Sequence, residues 1–473
     1  MRSMSDLTRP VLVVLSLFAA ASGCSREPEG PAPAAPPSSP PSPVGPATTA
    51  PGAQGAPTGA APTAAAGTGT TAATAPAPGA GPQGKLNVLM ISVDSMRADM
   101  PWLGYPRAIA PVMTELAKKS VSYSRFYSIS SYTSMSLGGF LAGRYPSEVD
   151  RSGYFFGNYP DSVVMFPELL QQAGIRTISA QAHFYFDVKA GFRQGFDVYK
   201  IVEGISADNT TDKNITSPQH LALAKEQLSD KATAAGQFFA WYHFLDPHDL
   251  YMQHEGIKGW GKKARDLYDG EIEFVDKHIG ELLEFVNQQE WGKRTAVIIT
   301  SDHGEAFGEH KQYRHGFEIW ENLVHVPLII HAPGITPRQI DAPRSAIDLA
   351  PTIMELIGVP RPEWFQGTSL VPELYGSEAK PRDVIVDLPR TSDNDRRRAL
   401  IRGDYKITAY GDDFGFELYD IKNDSGEKKD IKNAKPDVFE EMKKAYQAKV
   451  ATIKDVCPKM TEKLKGKSKS RKC

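Results

Sequence analysis

The sequence predicts an α/β protein: a domain with a largely parallel central sheet flanked by helices, followed by a small C-terminal antiparallel sheet. Three observations predict it. From residue 85 onward, apolar runs of strand length alternate with segments of helical periodicity, the pattern of a parallel sheet with helical crossovers. The runs are apolar almost throughout rather than at every second residue, so both faces of the sheet are expected to be covered. After about residue 377 the strand-like runs become shorter and are joined by hairpin-type turns.

Each element follows in order. "KLNVLMISVD" is a buried strand ending in Asp94. "APVMTELAKKSVSYSRFY" has helical spacing from about Pro111 and then a short strand. "LGGFLAG" and "MFPELLQQAG" read as helices, and "RTISAQA" reads as a strand. "GQFFAWYHFLD" is a buried strand ending at Asp246. "YDGEIEFVDKHIGELLEFVNQQ" is a long amphipathic helix, with Ile272, Val275, Ile279, Leu282 and Leu283 along one side. "RTAVIITSD" is a strand ending at Asp302, "VHVPLIIHAPG" is another, and "SAIDLAPTIMELIGV" starts a helix near Asp348. Beyond 377, "RDVIVDL", "RALIRGDYKITAYG" and "FELYDI" are the short strands, closed by a helix over about 436–453.

The ends of the chain differ from its middle. Residues 1–24 carry Arg2 and Arg9, the apolar run "VLVVLSLFAAASG" and then Cys24. That is the layout of an export signal, with an apolar core too short to span a bilayer. Small residues before Cys24 resemble the lipobox of bacterial lipoproteins, with Ala21 where leucine is usual. An ordinary cleaved secretion signal is the alternative. Ser25 in place of aspartate favours the outer membrane by analogy with lipoprotein sorting, so the expected location is the bacterial envelope. Residues 25–84 are almost entirely Pro, Ala, Gly, Ser and Thr. Such a segment buries too little apolar surface to fold and acts as a tether with a reach of roughly 40 Å. The catalytic region then occupies 85–376, a subdomain 377–456, and a basic tail 457–473. The only other cysteines, Cys457 and Cys473, are candidates for pairing in an oxidising compartment. The formal net charge of -2 over 473 residues marks no nucleic-acid partner.

Two acids, Asp94 and Asp302, end apolar strands, and His303 follows at once in "ITSDHGEAFGEH". Ligands of open α/β sheets bind at the carboxyl ends of strands. If these strands are neighbours, two carboxylates and an imidazole there make a divalent-cation site. The hydroxyl-rich "SSYTSMS" from residue 130 precedes a helix. A hydroxyl at that helix N-terminus would meet a partial positive charge that favours an anion or alkoxide. Capping alone is the plainer reading of such a segment.

Seven segments in order, "NVLMISVDSMRAD", "LAGRYP", "HFLDPH", "ITSDHGEAFGEH", "RHGFEIWENLVHVPLIIHAPG", "AIDLAPTIMELIGV" and "FELYDIKNDSGE", resemble the sulfatase family of the alkaline phosphatase superfamily. The resemblance runs from 86 to about 430. It implies an alkaline-phosphatase-like sandwich with a small C-terminal sheet, and metal ligation by Asp94, Asp302 and His303. The family's nucleophile is a formylglycine made from Cys or Ser in C/S-x-P-x-R. Counting back from Gly143 lands on Thr133 in "TSMSL", with Met135 for the proline and Leu137 for the arginine. The family's "GKWH" is here "AQAH", with Gln181 for the lysine and His183 for the histidine. Formylglycine maturation is therefore not expected.

Related phosphatases, phosphodiesterases, phosphoethanolamine transferases and lipoteichoic acid synthases use an unmodified Thr or Ser on the metal. By that comparison Thr133 is both nucleophile and ligand, because coordination favours the alkoxide. His248 and His315 match positions that contact the transferred group or protonate the leaving oxygen, and His183 joins them in substrate binding. Arg144 is a further candidate for substrate contact; together with Arg97 it is otherwise a loop-fixing residue. One metal ion is expected, manganese, calcium, magnesium or zinc, with a second held by Asp246, His248 and His315 as an alternative. His243 and His310 are read as structural. Three functions remain open: a metal-dependent phosphoester or phosphodiester hydrolase or transferase, a sulfuric ester hydrolase without formylglycine, and a non-catalytic binder of anionic envelope glycan or lipid. The substrate partner is an anionic phosphate or sulfate ester, and lipidated Cys24 is the expected membrane attachment.

Overall fold

The computed structural model describes residues 81–82, 84–205 and 215–458. The expected export signal, Cys24, nearly all of the tether, Cys473 and the basic tail lie outside the described residues, whereas Cys457 is disulfide-bonded. Among the described residues no helix is long and apolar enough to cross a membrane.

The main sheet begins with β1 (Asn87–Val93), β2 (Val121–Tyr127), β3 (Arg176–Gln181), β4 (Val198–Ile201) and β5 (Phe238–Phe244). It continues with β6 (Thr295–Ser301), β7 (His325–His331), β8 (Arg338–Ile340) and the two-residue β9 (Arg344–Ser345). Their order is β4-β3-β5-β1-β6-β7-β2-β8, with β9 also on β2. From β4 to β6 every pairing is parallel; β7 runs antiparallel to both β6 and β2. The sheet is thus largely parallel, as the apolar runs predict. β4, β8 and β9 were not expected, because each is too short or too polar to show as an apolar run.

Pleat parity explains why the runs are apolar throughout. On β1, Val88 and Met90 enter one core while Leu89, Ile91 and Val93 enter the other. β5 divides the same way, with Phe239 and Trp241 opposite Phe238, Ala240, Tyr242 and Phe244. The helices Thr133–Ala142, Phe166–Gln172 and Leu349–Ile357 contribute to the first core. The second lies under Pro111–Ala117, Ser217–Ser229 and Ala264–Asn287. Tyr268, Ile272, Val275, Ile279 and Leu282 of that last helix are buried along one stripe, each such side chain stabilising the fold by about 1.5–3 kcal/mol.

The second sheet is antiparallel, in the order β10 (Val384–Leu388), β11 (Arg397–Arg402), β12 (Tyr405–Tyr410) and β13 (Gly415–Asp420). One face, with Ile385, Leu400, Ile407 and Leu418, packs with Met442, Ala445 and Tyr446 of the closing helix Pro436–Val450. The other, with Val384, Val386, Leu388, Ala399 and Ile401, packs against Tyr127, Tyr132 and Met135 of the main domain.

Candidate active site

β1 and β6 are parallel neighbours in register, Val93 opposite Ser301. The next residue of each, Asp94 and Asp302, therefore leaves the sheet at the same level. Both are buried, as is His303. One ligand atom from each of Asp94, Asp302 and His303 falls within 4.8 Å of the others. His303 Nδ1 donates to the carbonyl of Gly304 at 2.9 Å, which leaves the Nε2 lone pair facing the acids, the tautomer a metal ligand needs.

Thr133 is the first residue of the helix Thr133–Ala142. Its Oγ1 lies 3.2 Å from His303 Nε2 and 3.4 Å from Asp94 Oδ2. Two other hydroxyls of the segment have structural tasks. Ser136 Oγ donates to the Asp302 carbonyl at 2.6 Å, and Ser134 Oγ to that of Phe155 at 3.2 Å. The helix is thus tied to the tip of β6, with Thr133 toward the acids. It starts four residues before the apolar run suggested, because the hydroxyl residues themselves form its first turn.

β5 brings a fourth group, His243, which sequence reasoning set aside as structural. Trp241 Nε1 donates to Ser92 Oγ at 2.9 Å, and Ser92 Oγ lies 2.7 Å from His243 Nδ1. The Nε2 proton goes to Asp94 Oδ2 at 3.2 Å. Burial disfavours a charge on His243, but Asp302 and Asp94 overcome it and hold its pKa above the ordinary value. Burial likewise opposes ionisation of Asp94, yet His243, His248 and His303 hold it well below the usual carboxylate range. For Asp302, burial and the charge of Asp94 prevail and push the pKa up.

Three further imidazoles extend from this cluster. His315 lies 4.2 Å from His303 between ring centroids, His248 5.4 Å from His315, and His183 5.8 Å from His248. His315 Nδ1 faces both oxygens of Glu305, at 3.2 and 3.3 Å. Glu305 is wholly buried and was not singled out from the sequence; the only hint was its place in "SDHGE". Burial raises its pKa, but His315 outweighs this and lowers it. Burial and His248 bring His183 down to about 3, so it is neutral at physiological pH. Tyr185 N donates to its Nδ1 at 3.1 Å, leaving the proton on Nε2.

Two expectations need correction. Arg144 follows the far end of a ten-residue helix that begins at Thr133, about 15 Å along its axis, so it does not contact a group bound at Thr133. Asp246 does not join His248 and His315 around a second cation. Its carboxylate accepts from Thr216 N and Oγ1 and from Ser217 N, at 2.7, 2.9 and 2.8 Å, and from the Ser217 hydroxyl. It caps the helix Ser217–Ser229. Arg97 binds the Glu305 carbonyl, Glu309 and Asp99 and fixes the loop behind the site. His310 stacks on Trp320 at 3.9 Å.

The residues fit a divalent cation. Asp302 Oδ2 is buried without a hydrogen bond, an arrangement that is costly unless a cation completes it. Two carboxylate oxygens, one imidazole nitrogen and the Thr133 hydroxyl form an oxygen-rich donor set suited to manganese, magnesium or calcium, and compatible with zinc.

Residues 86–359 match the family model described as Sulfatase, and residues 308–455 the one described as N-sulphoglucosamine sulphohydrolase, C-terminal. Among curated proteins, arylsulfatase K of Xenopus laevis is 32% identical over 221 residues, 44% of this chain and 41% of its own length. The chain thus spans less than half the length of that relative. Choline-sulfatase of Rhizobium meliloti is 24% identical over 373 residues, covering 62% of this chain and 72% of that protein. Among solved structures, a 2-O GAG sulfatase superposes with a TM-score of 0.66 at 19% identity, over 80% of this chain and 96% of its own. The phosphonate monoester hydrolase of Agrobacterium radiobacter gives 0.63 at 16% identity, over 77% and 95%. Both superpositions share the alkaline-phosphatase-like sandwich. Since the first family match alone takes in more than half of the residues and runs from the start of β1 past β9, the chain belongs to the sulfatase family.

Proposed function

We propose that this chain is a metal-dependent hydrolase or transferase of phosphoesters, phosphodiesters foremost, with Thr133 as its nucleophile. The observation that carries the reading is the position of Thr133 Oγ1, within 3.4 Å of both His303 and Asp94 at a helix N-terminus. Asp94, Asp302, His303 and Thr133 would hold the cation. A bound cation would supply Lewis acidity there, making the Thr133 hydroxyl easier to deprotonate, with its proton released to solvent. Thr133 Oγ1 then bonds to phosphorus as the bond to the departing alcohol breaks. In this reading His248 or His315 gives that oxygen its proton, while neutral His183 donates a hydrogen bond to the anion. Water or an acceptor alcohol resolves the phosphothreonine.

Three departures from the family motif support phosphorus over sulfur. Leu137 and Gln181 stand where the motif has arginine and lysine, and Thr133 cannot yield formylglycine. The second reading, sulfuric ester hydrolysis by unmodified Thr133, is favoured by the sulfatase names of the relatives. Purified protein assayed on an aryl phosphate diester, a phosphate monoester and a sulfate ester, each with manganese or zinc, separates the two. Diester turnover that disappears in Thr133→Ala supports the first reading; preference for sulfate ester replaces it with the second. Inactivity on all three with metal bound leaves only a binding role. The proposal includes attachment to the bacterial envelope through Cys24; palmitate labelling that persists in Cys24→Ala would overturn that part.

A further inference from the structure

We propose that His243 makes the cation centre selective for a small transition-metal ion over calcium, by filling the side of the gap between Asp94 and Asp302 that faces β5. This rests on the reading of Asp94, Asp302, His303 and Thr133 as the ligands of the ion. His243 Nε2 lies 3.2 Å from Asp94 Oδ2 and 3.8 Å from Asp302 Oδ2, so one ring nitrogen stands against both acids. An ion held by those acids together with His303 and Thr133 must take the other side.

The imidazole is fixed in that gap. His243 is wholly buried. Its Nδ1 is 2.7 Å from Ser92 Oγ, and Trp241 Nε1 holds that hydroxyl by donating to it at 2.9 Å. The ring of Phe186 packs beside it, 5.3 Å away between centroids. A side chain so enclosed keeps its rotamer when an ion arrives.

The acids are short of free oxygens as well. An ionised carboxylate offers about four acceptor positions, about two on each oxygen. Asp302 Oδ1 accepts from Ser95 N at 3.3 Å and from His303 N at 3.0 Å, which uses that oxygen up and leaves Oδ2 alone for an ion. Asp94 Oδ1 accepts from Ser95 Oγ at 2.8 Å, and its Oδ2 from His243. Ser95 has φ 59°, a left-handed conformation uncommon for a residue with a Cβ, and in it both the amide and the hydroxyl meet the acids. Asp302 therefore cannot chelate, and neither oxygen of Asp94 is wholly free. Calcium gathers about six to eight oxygens, bidentate carboxylates among them. Here one donor is an imidazole, and His243 closes the side on which water could add to the rest. Manganese and zinc bind with fewer donors, and zinc in particular favours imidazole. The type of donor admits calcium; the number of donors and the closed side exclude it.

Calorimetric titration of the full chain, stripped with EDTA and free of any ester, tests this with manganese and calcium as the probes. Manganese is expected to bind at least about 100-fold tighter than calcium. His243→Ala opens room for water beside Asp94. Manganese binding should then weaken by about 10- to 100-fold while calcium binding holds or tightens, so that the ratio of the two collapses. His243→Gln, whose amide can still donate to Asp94, should keep most of the ratio. Should His243→Ala fail to fold, Ser92→Ala frees the ring without removing it; a smaller fall in the ratio is expected there, and an unchanged ratio overturns the proposal. Calcium binding within about ten-fold of manganese in the wild type also overturns it. So does an equal loss of both ions in His243→Ala, the result expected of an imidazole with a purely structural task. If neither ion binds the wild type, the reading of the site falls and the proposal with it, whereas binding without discrimination sinks the proposal alone. Neither result depends on whether Thr133 proves to be the nucleophile.

Discussion

Loading the cluster of Asp94, Asp302 and His303 with a divalent cation should raise the melting temperature by an amount that can be worked out. An ion that binds the folded chain alone stabilises it by about 2.7 kcal/mol at 100 times Kd and about 4.1 kcal/mol at 1,000 times. Unfolding entropy is near 2.1 cal/mol/K per residue, so about 370 ordered residues give about 0.8 kcal/mol/K. The expected shift is therefore about 3 to 5 °C. Differential scanning calorimetry of the chain stripped with EDTA, and then given manganese, magnesium, calcium or zinc in turn, measures it. Asp302→Asn is the control. Burial and the charge of Asp94 push the Asp302 pKa up, so in the stripped protein the ionised carboxylate is a cost that asparagine removes. The variant should melt at or above the wild type without metal and lose the metal-dependent shift. An equal shift in both proteins would put the ion elsewhere. No shift with any of the four cations, together with no bound metal by mass spectrometry, would refute the reasoning.

Three other outcomes follow from the same geometry. His248→Ala or His315→Ala should slow esters of poor leaving alcohols at least ten-fold more than nitrophenyl esters, because only the former need a proton in the transition state; equal losses across a leaving-group series would exclude proton donation. Arg398 is wholly buried and pairs at 2.8 Å with Asp387, itself buried, and with Asp455. Arg398→Ala should cost about 3–5 kcal/mol in urea unfolding, since it leaves a buried carboxylate unpaired, and Asp387→Ala in the same chain should restore part of that loss. Asp276, 1% exposed, accepts from Val112 N and Met113 N, and burial raises its pKa to about 7. A folded pKa above the unfolded value means its stabilising contribution is complete below about pH 4 and lost as pH rises toward 7. Between pH 5 and 8 the wild type should therefore lose on the order of 2 kcal/mol relative to Asp276→Asn, read from urea midpoints at each pH.

The two acids were legible because an aspartate directly after an apolar strand has few places to go except the strand tip. Their adjacency was not. β1 and β6 are separated by about 200 residues, and neither composition nor periodicity says which strands pair. His243 was missed because an imidazole inside "FFAWYHF" reads as core. Pleat parity carries the correction: His243 follows Phe239 and Trp241 on the same face, one step from the tip where Asp94 stands. Asp246 misled for the opposite reason. It too follows a strand, but "ITSPQH" starts a helix nearby in space, and four donors from Thr216 and Ser217 take up its carboxylate. Arg144 was judged from its motif, and helix length then separates it from Thr133.

The small sheet bears on the chemistry through the segment that carries Thr133. β10 grips that segment on both sides: Asp387 N donates to the Ile129 carbonyl at 2.7 Å, and the Asp387 carboxylate accepts from Ser147 N and Oγ at 2.8 Å each. Arg398 of β11 closes the same network by donating to Ser147 Oγ at 2.8 Å. Between these anchors, Tyr132 and Met135 sit in one apolar cluster with Val384, Val386 and Leu388. Ser136 meanwhile ties the helix to Asp302. Thr133 is therefore held from two directions, by β6 through Ser136 and by the second sheet through the ends of its segment. A hydroxyl that must meet a cation and a reacting ester needs positioning to a fraction of an ångström. Here that precision comes from residues more than 150 positions away, which is why the hydroxyl at the helix start could be read from the sequence while the apparatus that aims it could not.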